Sequence, residues 1–372
     1  MKRTPVKRQP VSRAQKPSRR DPLAEYRLAI SPKSGSGDVE VQVLPLSGEV
    51  MSTVKLFIPT GILAVDTLLG GRGIPAGRVT EMFGPNHIGK STVLDSIFGS
   101  TQRIGGYAIL VDSEAARDTV YTTRLGVDPD KLQVIQFDPS ELSIENVVNK
   151  IFASCDFWRT NFPDSPVTIG WDALGSTSTN EELGKKIGEA TVASAAKVMR
   201  QACRQVAGRI GNTKIALVVC NHQYEKIQHF GGAPGPKRET YAGEALRLAT
   251  SIRMELFNAG QIKAGDGVVV GREVGVKLIK NRLGPPGEAR IALLHGLGAD
   301  NVWSIYQTLV GAKFIAHSQG AWDSVDLGGD IGLVKFRGWV GLREKVAEIP
   351  ELFPRLVEAY KIANPPSLGG LL

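Results

Sequence analysis

The sequence predicts an α/β fold built on a largely parallel sheet, and three observations carry that reading. From about Leu56 onward, short apolar runs alternate with segments of helical period, the pattern left by strands joined through crossover helices. A glycine-rich loop of phosphate-binding type stands between one such run and the helical segment after it. The chain has 372 residues, 42% hydrophobic and 22% charged, enough to bury one large core and a smaller satellite. Disorder as the main state is excluded. No run approaches the length of an uninterrupted apolar membrane span.

Taken in order, RVTEMFG (78–84) reads as a strand and STVLDSIFGSTQRIG (91–105) as the helix that it feeds. YAILVDSE (107–114), KLQVIQF (131–137), PVTIGWD (166–172) and IALVVCN (215–221) read as further strands, and Thr191 to Gly208 has helical spacing. VGVKLIKNR (274–282) and ARIALLH (289–295) read as later, antiparallel strands. Beyond about Asn301 the pattern changes to a smaller α/β unit containing Trp303, Trp322 and Trp339. Gly/Pro-rich stretches fall at 31–37, 231–236 and 284–287, and the middle one reads as a mobile loop inside the domain. The expected organisation is a disordered basic tail over 1–21, an N-terminal segment over 22–55, an α/β core over 56–300 and a small C-terminal domain over 301–372.

The formal net charge of +8 is confined to one place. Residues 1–20 carry eight Lys and Arg and no acid, and the remainder has as many bases as acids. That stretch has three prolines and no apolar run, so it is neither a secretory signal nor an amphipathic transit helix. It reads either as a solvated leader or as a phosphate-seeking arm. Cys155, Cys203 and Cys220 lack metal-site or redox-motif spacing and sit in apolar stretches, as buried thiols do in a reducing compartment.

Gly84, Pro85, Asn86, His87, Ile88, Gly89, Lys90, Ser91 and Thr92 fit GxxxxGK[ST] in the required strand-to-helix context. The glycines let backbone N–H groups turn inward around phosphate oxygens, and the helix N-terminus adds its positive end. Lys90 is expected to reach the β- and γ-phosphates of ATP and Ser91 to ligate Mg²⁺. A P-loop also needs an acid at a neighbouring strand end to hold the water shell of the metal. Asp172 is the candidate for that place, and a strand-end turn aspartate is the bland alternative. Glu114, after its strand, is a candidate to polarise water.

Several segments together resemble the RecA recombinases of bacteria and their phage and plasmid relatives. They are TGILAVDTLLGGRGIPAGRVTEMFGPNHIGKST, VDSEAARDTVYTTRLGVD, GEALRLATSIRMEL, VGVKLIKNRLGPPG, and a GAW at 320–322 followed by EIPEL; the resemblance runs from about 56 to 362. It implies a RecA-like P-loop ATPase core, with 22–55 as an oligomerisation segment. It makes Glu114 the general base, Tyr121 the adenine platform with Asp118 nearby, and Lys280 and Arg282 cations that reach the γ-phosphate held by a neighbouring subunit. It places one DNA loop at 175–192, with Lys185 and Lys186, and a second at 224–243, with Lys226, Phe230, Lys237, Arg238 and Gly243. Lys197 and Arg204, on the helix after the first loop, fall where the family has DNA-contacting arginines.

The resemblance implies an ATP-dependent homologous recombinase that forms helical filaments on single-stranded DNA, pairs it with homologous duplex DNA, and works in the cytoplasm at the nucleoid. The alternatives are a RecA-fold motor or regulator, such as a branch-migration ATPase or hexameric helicase, and a non-catalytic DNA-binding scaffold. Three departures stand out. An Asn-Gln sensor pair is replaced by Asn221-His222-Gln223, so either His222 or Gln223 takes the γ-phosphate sensor role. PLAEYRLAISP is short for the expected N-terminal helix, and the acidic C-terminal tail is missing, which favours easier duplex binding.

Overall fold

A computed structural model describes Leu23, Tyr26, Glu189 and residues 53–186, 194–226, 237–241, 243–264, 267–318 and 322–365. Contacts divide the chain into Met1–Val50 and Met51–Leu372, and all that follows concerns the second unit. The basic tail and most of the 22–55 segment lie outside the described residues.

The elements run β1 (Phe57–Ile58), α1 (Leu63–Leu68), β2 (Ile74–Pro75), β3 (Val79–Gly84), α2 (Lys90–Arg103), β4 (Tyr107–Asp112), α3 (Thr119–Arg124), β5 (Leu132–Ile135), α4 (Ile144–Asn161) and β6 (Val167–Asp172). They continue with α5 (Asn180–Leu183), α6 (Ser194–Ile210), β7 (Ile215–Lys226), β8 (Lys237–Thr240), α7 (Gly243–Ala249), β9 (Ile252–Lys263), β10 (Val269–Asn281), β11 (Gly287–Leu294) and β12 (Gly298–Asp300). The last are α8 (Asn301–Gly311), β13 (Ile315–Ser318), β14 (Trp322–Asp326), β15 (Leu333–Phe336), α9 (Gly338–Glu348) and α10 (Leu352–Ala363). None of the described helices is long and apolar enough to cross a membrane.

The main sheet follows the order β12-β11-β10-β9-β3-β7-β6-β4-β5, with β8 paired to β7. From β9 through β3, β7, β6 and β4 to β5 every pairing is parallel, whereas β9 to β12 and the β7–β8 ladder are antiparallel. The sheet is thus mixed, with the expected parallel core. One long strand, β9, escaped the sequence reading, and it is the hinge between the two pairing modes.

Strand alternation sorts the core into two layers. Met82, Ala216, Val218, Cys220, Met254 and Leu256 face α2, packing on Val93, Leu94, Ile97 and Phe98. Val79, Val167, Ile169, Trp171, Leu217 and Val219 face the opposite way, onto α4 and α6. Trp171 accordingly points away from Asp172, its neighbour in β6. The sheet registers align Gly84 with His222 and Asp112 with Asp172, so the carboxyl ends of β3, β4 and β6 form one rim, which β7 meets at His222.

The C-terminal residues gather a separate cluster, in which Ile305, Leu309, Val325, Phe336, Leu342, Leu352 and Leu356 are buried. Asp300 starts α8 by accepting from the Trp303 amide at 3.0 Å. Asn301 ties this unit back to α1, accepting from the Leu63 amide at 2.8 Å and donating to Gly61 O at 2.9 Å. Trp322 opens β14 half-exposed, while Gly320 and Ala321 lie outside the described residues.

The described residues include part of each segment that the resemblance assigns to DNA. In the first, a short 3-10 turn at Leu174–Ser176 leads to α5, closed by a capping box between Thr179 and Glu182. In the second, β7 runs on to Lys226 and pairs with β8 through Gln223↔Thr240 and Lys226↔Lys237. The flanks of 224–243 are therefore a ladder rather than loop, and the Gly/Pro-rich 231–236 lies outside the described residues.

On the α6 face of the rim lies a buried charge pair. Arg253 Nε donates to Glu81, which is fully buried, and Asn221 Nδ2 donates to the other Glu81 oxygen at 3.0 Å. The guanidinium also lies over the Phe83 ring, 4.6 Å from its centroid. Removing one partner of such a pair leaves a stranded charge, which costs far more than the pair contributes. Arg253→Ala is expected to lower stability by about 3–5 kcal/mol, read as a reduced urea midpoint at unchanged slope.

Candidate nucleotide site and its surroundings

The phosphate loop is shaped by its own sequence. Gly89, just before α2, has φ of 106°, a left-handed conformation costly for a residue with a side chain. A Cβ there would also lie 2.2 Å from Leu293 Cδ1. Ile88, 3% exposed, anchors the loop in the core, and Arg272 donates to His87 O at 2.7 Å. No side chain caps the start of α2, so its first N–H groups are left for an anion.

Lys90 is buried and bridges the loop, donating to Gly84 O at 3.2 Å and Pro85 O at 2.9 Å. Burial lowers its pKa, and the nearby Cys220, Asp172 and Glu114 push it back up. These features fit a nucleoside triphosphate: an open cradle, orphan donors and a lysine spanning it. The Ser91 hydroxyl at the helix start and the Asp172 carboxylate at the end of β6 are oxygen donors of the type that suits a divalent ion.

Asp112 shapes the approach of Glu114. Its Oδ1 accepts from the Glu114 and Ala115 amides at 3.1 and 2.9 Å, and burial is the chief reason its pKa is raised. That turn delivers Glu114 to His222, whose Nε2 lies 2.9 Å from Glu114 Oε1. Ser176 Oγ donates to the same oxygen at 2.9 Å and lies 3.2 Å from the imidazole nitrogen. His222 Nδ1 meets Asn86 Oδ1 of the phosphate loop. The His222 bond is the main cause that holds the Glu114 carboxyl below its ordinary range; Ser176 and Lys90 act in the same direction, against partial burial.

His222 and Gln223 are placed on opposite faces of β7. His222 shares the α2 face with Cys220, next to the phosphate loop, whereas Gln223 Nε2 donates to Glu255 Oε1 at 3.3 Å. The sequence left these two residues open, and strand parity separates them.

Asp172 is not an open ligand. Arg117, a residue the sequence reading passed over, donates to Asp172 Oδ2 at 2.9 Å and pairs with Asp95 of α2. Thr122 Oγ1 also donates to Asp95, at 3.1 Å. Arg117 Nε is buried without a hydrogen-bond partner. Burial is the main cause lowering the Arg117 pKa, opposed by Asp172. No local signal marks Arg117, because its two acids lie in other elements. At the start of α3, Tyr121 OH lies 3.2 Å from Thr92 Oγ1, and Asp118 caps the helix by accepting from the Tyr121 amide at 2.9 Å.

Lys280 and Arg282 close the end of α7 within the subunit. Lys280 Nζ donates to Arg247 O at 2.6 Å and Leu248 O at 3.3 Å, and Arg282 to Leu248 O at 3.0 Å. The Lys280 pKa is lowered, first by burial and then by Arg282, Arg253 and Arg247.

Lys197 and Arg204 are exposed on α6. Each lines a groove, of about 440 Å³ beside α4 and about 570 Å³ beside α7. Arg200 shares the second groove and was missed in sequence. Lys185 pairs with Glu181 at 2.7 Å, and Lys186 is exposed. Gly243 begins α7. Lys226, Lys237 and Arg238 are strand residues whose side chains lie outside the description, as does all of Phe230. Cys155 and Cys220 are buried as expected, but Cys203 is only partly so. Burial pushes the Cys155 and Cys203 thiols up to about 12 and about 11.

The Arg117 cluster has a measurable consequence. Arg117→Leu strands two buried carboxylates and is expected to cost about 3–5 kcal/mol, seen as a lower urea midpoint. A second change, Asp95→Leu, should recover part of that loss.

Comparison with known proteins agrees with this geometry. The family described as the RecA N-terminal domain matches residues 36–300. A protein named "Protein RecA" from Symbiobacterium thermophilum is 33% identical over 86% of this chain and 88% of its own length. The proteins of that name from an Arthrobacter species and from Roseiflexus castenholzii are 32% and 31% identical, over 93% and 95% of this chain and 92% and 94% of their own lengths. With a phosphate loop, a rim acid and a strand-end glutamate in this arrangement, the chain belongs to the RecA family of DNA-dependent ATPase recombinases.

Proposed function

We propose that this protein assembles into helical filaments on single-stranded DNA and pairs that strand with homologous duplex, using ATP bound between adjacent subunits. The single observation that carries this reading is the chain Glu114–His222–Asn86, which joins a general-base candidate to the phosphate loop across 108 and 136 residues of sequence. A carboxylate held beside the nucleotide cradle in this way is placed to take a proton from water there.

In this reading Lys90 and the N-terminus of α2 hold the β- and γ-phosphates. A bound Mg²⁺, held by Ser91 and through water by Asp172, would neutralise phosphate charge. Glu114 accepts a proton from the attacking water, and its depressed pKa keeps it ionised at neutral pH. His222, rather than Gln223, takes the sensor position, since only His222 touches both the base and the loop. Tyr121 supplies the adenine platform and Asp118, as the cap of α3, fixes it. Lys280 and Arg282 reach the γ-phosphate held by a neighbouring subunit, where their charge favours phosphoryl transfer.

DNA follows the axis along Lys185, Lys186, Lys197 and Arg204, with Lys226, Phe230, Lys237, Arg238 and Gly243 of the second segment. Phosphate contacts of this kind bind without reading sequence, as a search for homology demands. Such a protein works in the cytoplasm, at the nucleoid.

The test is ATP hydrolysis with and without single-stranded DNA, with negative-stain electron microscopy of the same samples. DNA-stimulated turnover with long helical filaments is expected; closed rings would instead indicate a motor. Glu114→Gln should reduce kcat by about 10²- to 10⁴-fold yet keep ATP-dependent DNA binding; retained turnover would remove Glu114 from the role of base. Lys280→Ala should abolish DNA-stimulated turnover and long filaments, while the uncapped end of α7 costs the isolated subunit only about 1 kcal/mol in thermal unfolding.

A further inference from the structure

Ser176 has no part in the reading above, yet its hydroxyl sits at the centre of the base. Three distances close a triangle: Ser176 Oγ to Glu114 Oε1 at 2.9 Å, His222 Nε2 to the same Oε1 at 2.9 Å, and Ser176 Oγ to His222 Nε2 at 3.2 Å. Both donors converge on one carboxylate oxygen. Among the described residues Oε2 accepts no hydrogen bond, so it is the oxygen left for water. Two donors on one oxygen fix the plane of the carboxylate, and a fixed plane aims the free lone pairs.

The imidazole reaches this place only because residue 175 has no side chain. A Cβ at Gly175 would lie 2.5 Å from His222 Cδ2, 2.9 Å from its Cβ and 3.0 Å from its Cγ. No rotation of a methyl group relieves such contacts. Gly175 and Ser176 belong to one 3-10 turn, Leu174–Ser176, at the end of β6, and Ser176 N donates to Ala173 O at 3.2 Å. One short turn therefore makes the room for the histidine and supplies the second donor. Asn86 completes the set, since its amide can present oxygen to a protonated Nδ1 or nitrogen to a bare one.

We propose that Ser176 is a positioning residue for the Glu114 base, and that Gly175 is the space in which His222 completes the clamp. The proposal rests on the reading of Glu114 as the base. Ser176 is exposed, and its side-chain partners in the structure are Glu114 and His222. Its loss should be read in chemistry and not in stability.

The charged groups around the clamp set the pH dependence. Asp112 and Glu114 approach from the end of β4, Asp172 from β6, Lys90 from α2, and His222 itself from β7. A hydroxyl donating to a carboxylate favours the ionised form, so removing it raises the pKa of Glu114. The base then protonates at higher pH, and the defect must deepen as pH falls.

The experiment measures single-stranded-DNA-stimulated ATPase at pH 8 and pH 5 for the full chain and three variants. Ser176→Ala is expected to lower kcat about three- to tenfold, more at pH 5 than at pH 8, with KM for ATP within twofold and an unchanged melting temperature. Ser176→Thr, which keeps the hydroxyl, should restore turnover. Gly175→Ala should give the same pH-dependent loss by displacing the ring, with binding of a fluorescent ATP analogue retained. Wild-type turnover in Ser176→Ala at both pH values would overturn the proposal. So would a loss that is equal at both, is not rescued by threonine, and comes with a lower melting temperature. Glu114→Gln run alongside separates the two readings. If it is inactive while Ser176→Ala is normal, only this inference falls, whereas an active Glu114→Gln removes the base itself.

Discussion

Register fixes the level at which neighbouring parallel strands present their residues, and the whole candidate site follows from that constraint. Gly84 lies opposite His222 and Asp112 opposite Asp172, so β3, β4 and β6 end at one rim and β7 brings His222 to it before running on. Loops leaving such a rim lose the sheet as a hydrogen-bond partner and turn outward at a common level. The phosphate loop, the turn bearing Glu114 and the turn bearing Ser176 are neighbours for this reason alone. A shift of one residue in any of these strands would exchange its two faces and scatter the cluster.

The rim is held by two sets of buried charge, one on each face of the sheet. On the α2 side Arg117 joins Asp95 to Asp172; on the α6 side Arg253 joins Glu81 to the network of Asn221. Such pairs add little net stability compared with apolar packing, but they tolerate few alternative arrangements. Each arginine spans elements distant in sequence, so each fixes geometry that packing alone would leave looser. β7 connects the two systems: Asn221 belongs to one, His222 touches the other face, and Gln223 returns to the first. The strand then continues to Lys226 and the ladder with β8. The two faces of one strand thus join the nucleotide side to the segment whose middle would meet DNA.

The parts legible in sequence were those whose cause is local. The phosphate loop announces itself because strand, glycines, lysine and helix start are contiguous, and the core strands show as short apolar runs. The antiparallel pair β10 and β11 was visible for the same reason. What escaped depends on contacts between distant residues. Arg117 reads as an ordinary surface arginine until Asp95 and Asp172 are folded against it. Gly175 and Ser176 resemble common turn residues, and nothing nearby in the chain foretells an imidazole packed on the first or a carboxylate on the second. The choice between His222 and Gln223 needed only strand parity, yet the strand had been ended at Asn221, one residue too early to count through. The contacts of Lys280 and Arg282 with the carbonyls that end α7 were equally hidden, since their partners lie more than thirty residues away in sequence.

The tight fit of the His222 ring over Gly175 also makes these two positions historically dependent. A lineage that carries a side chain at position 175 when it acquires histidine at position 222 must hold the ring away from Glu114 until glycine appears, because the two cannot share that space. Once histidine is in place, glycine can no longer drift. The pair should therefore travel together among descendants of this chain, and a laboratory exchange of the sensor residue between relatives would succeed or fail according to the residue already at position 175.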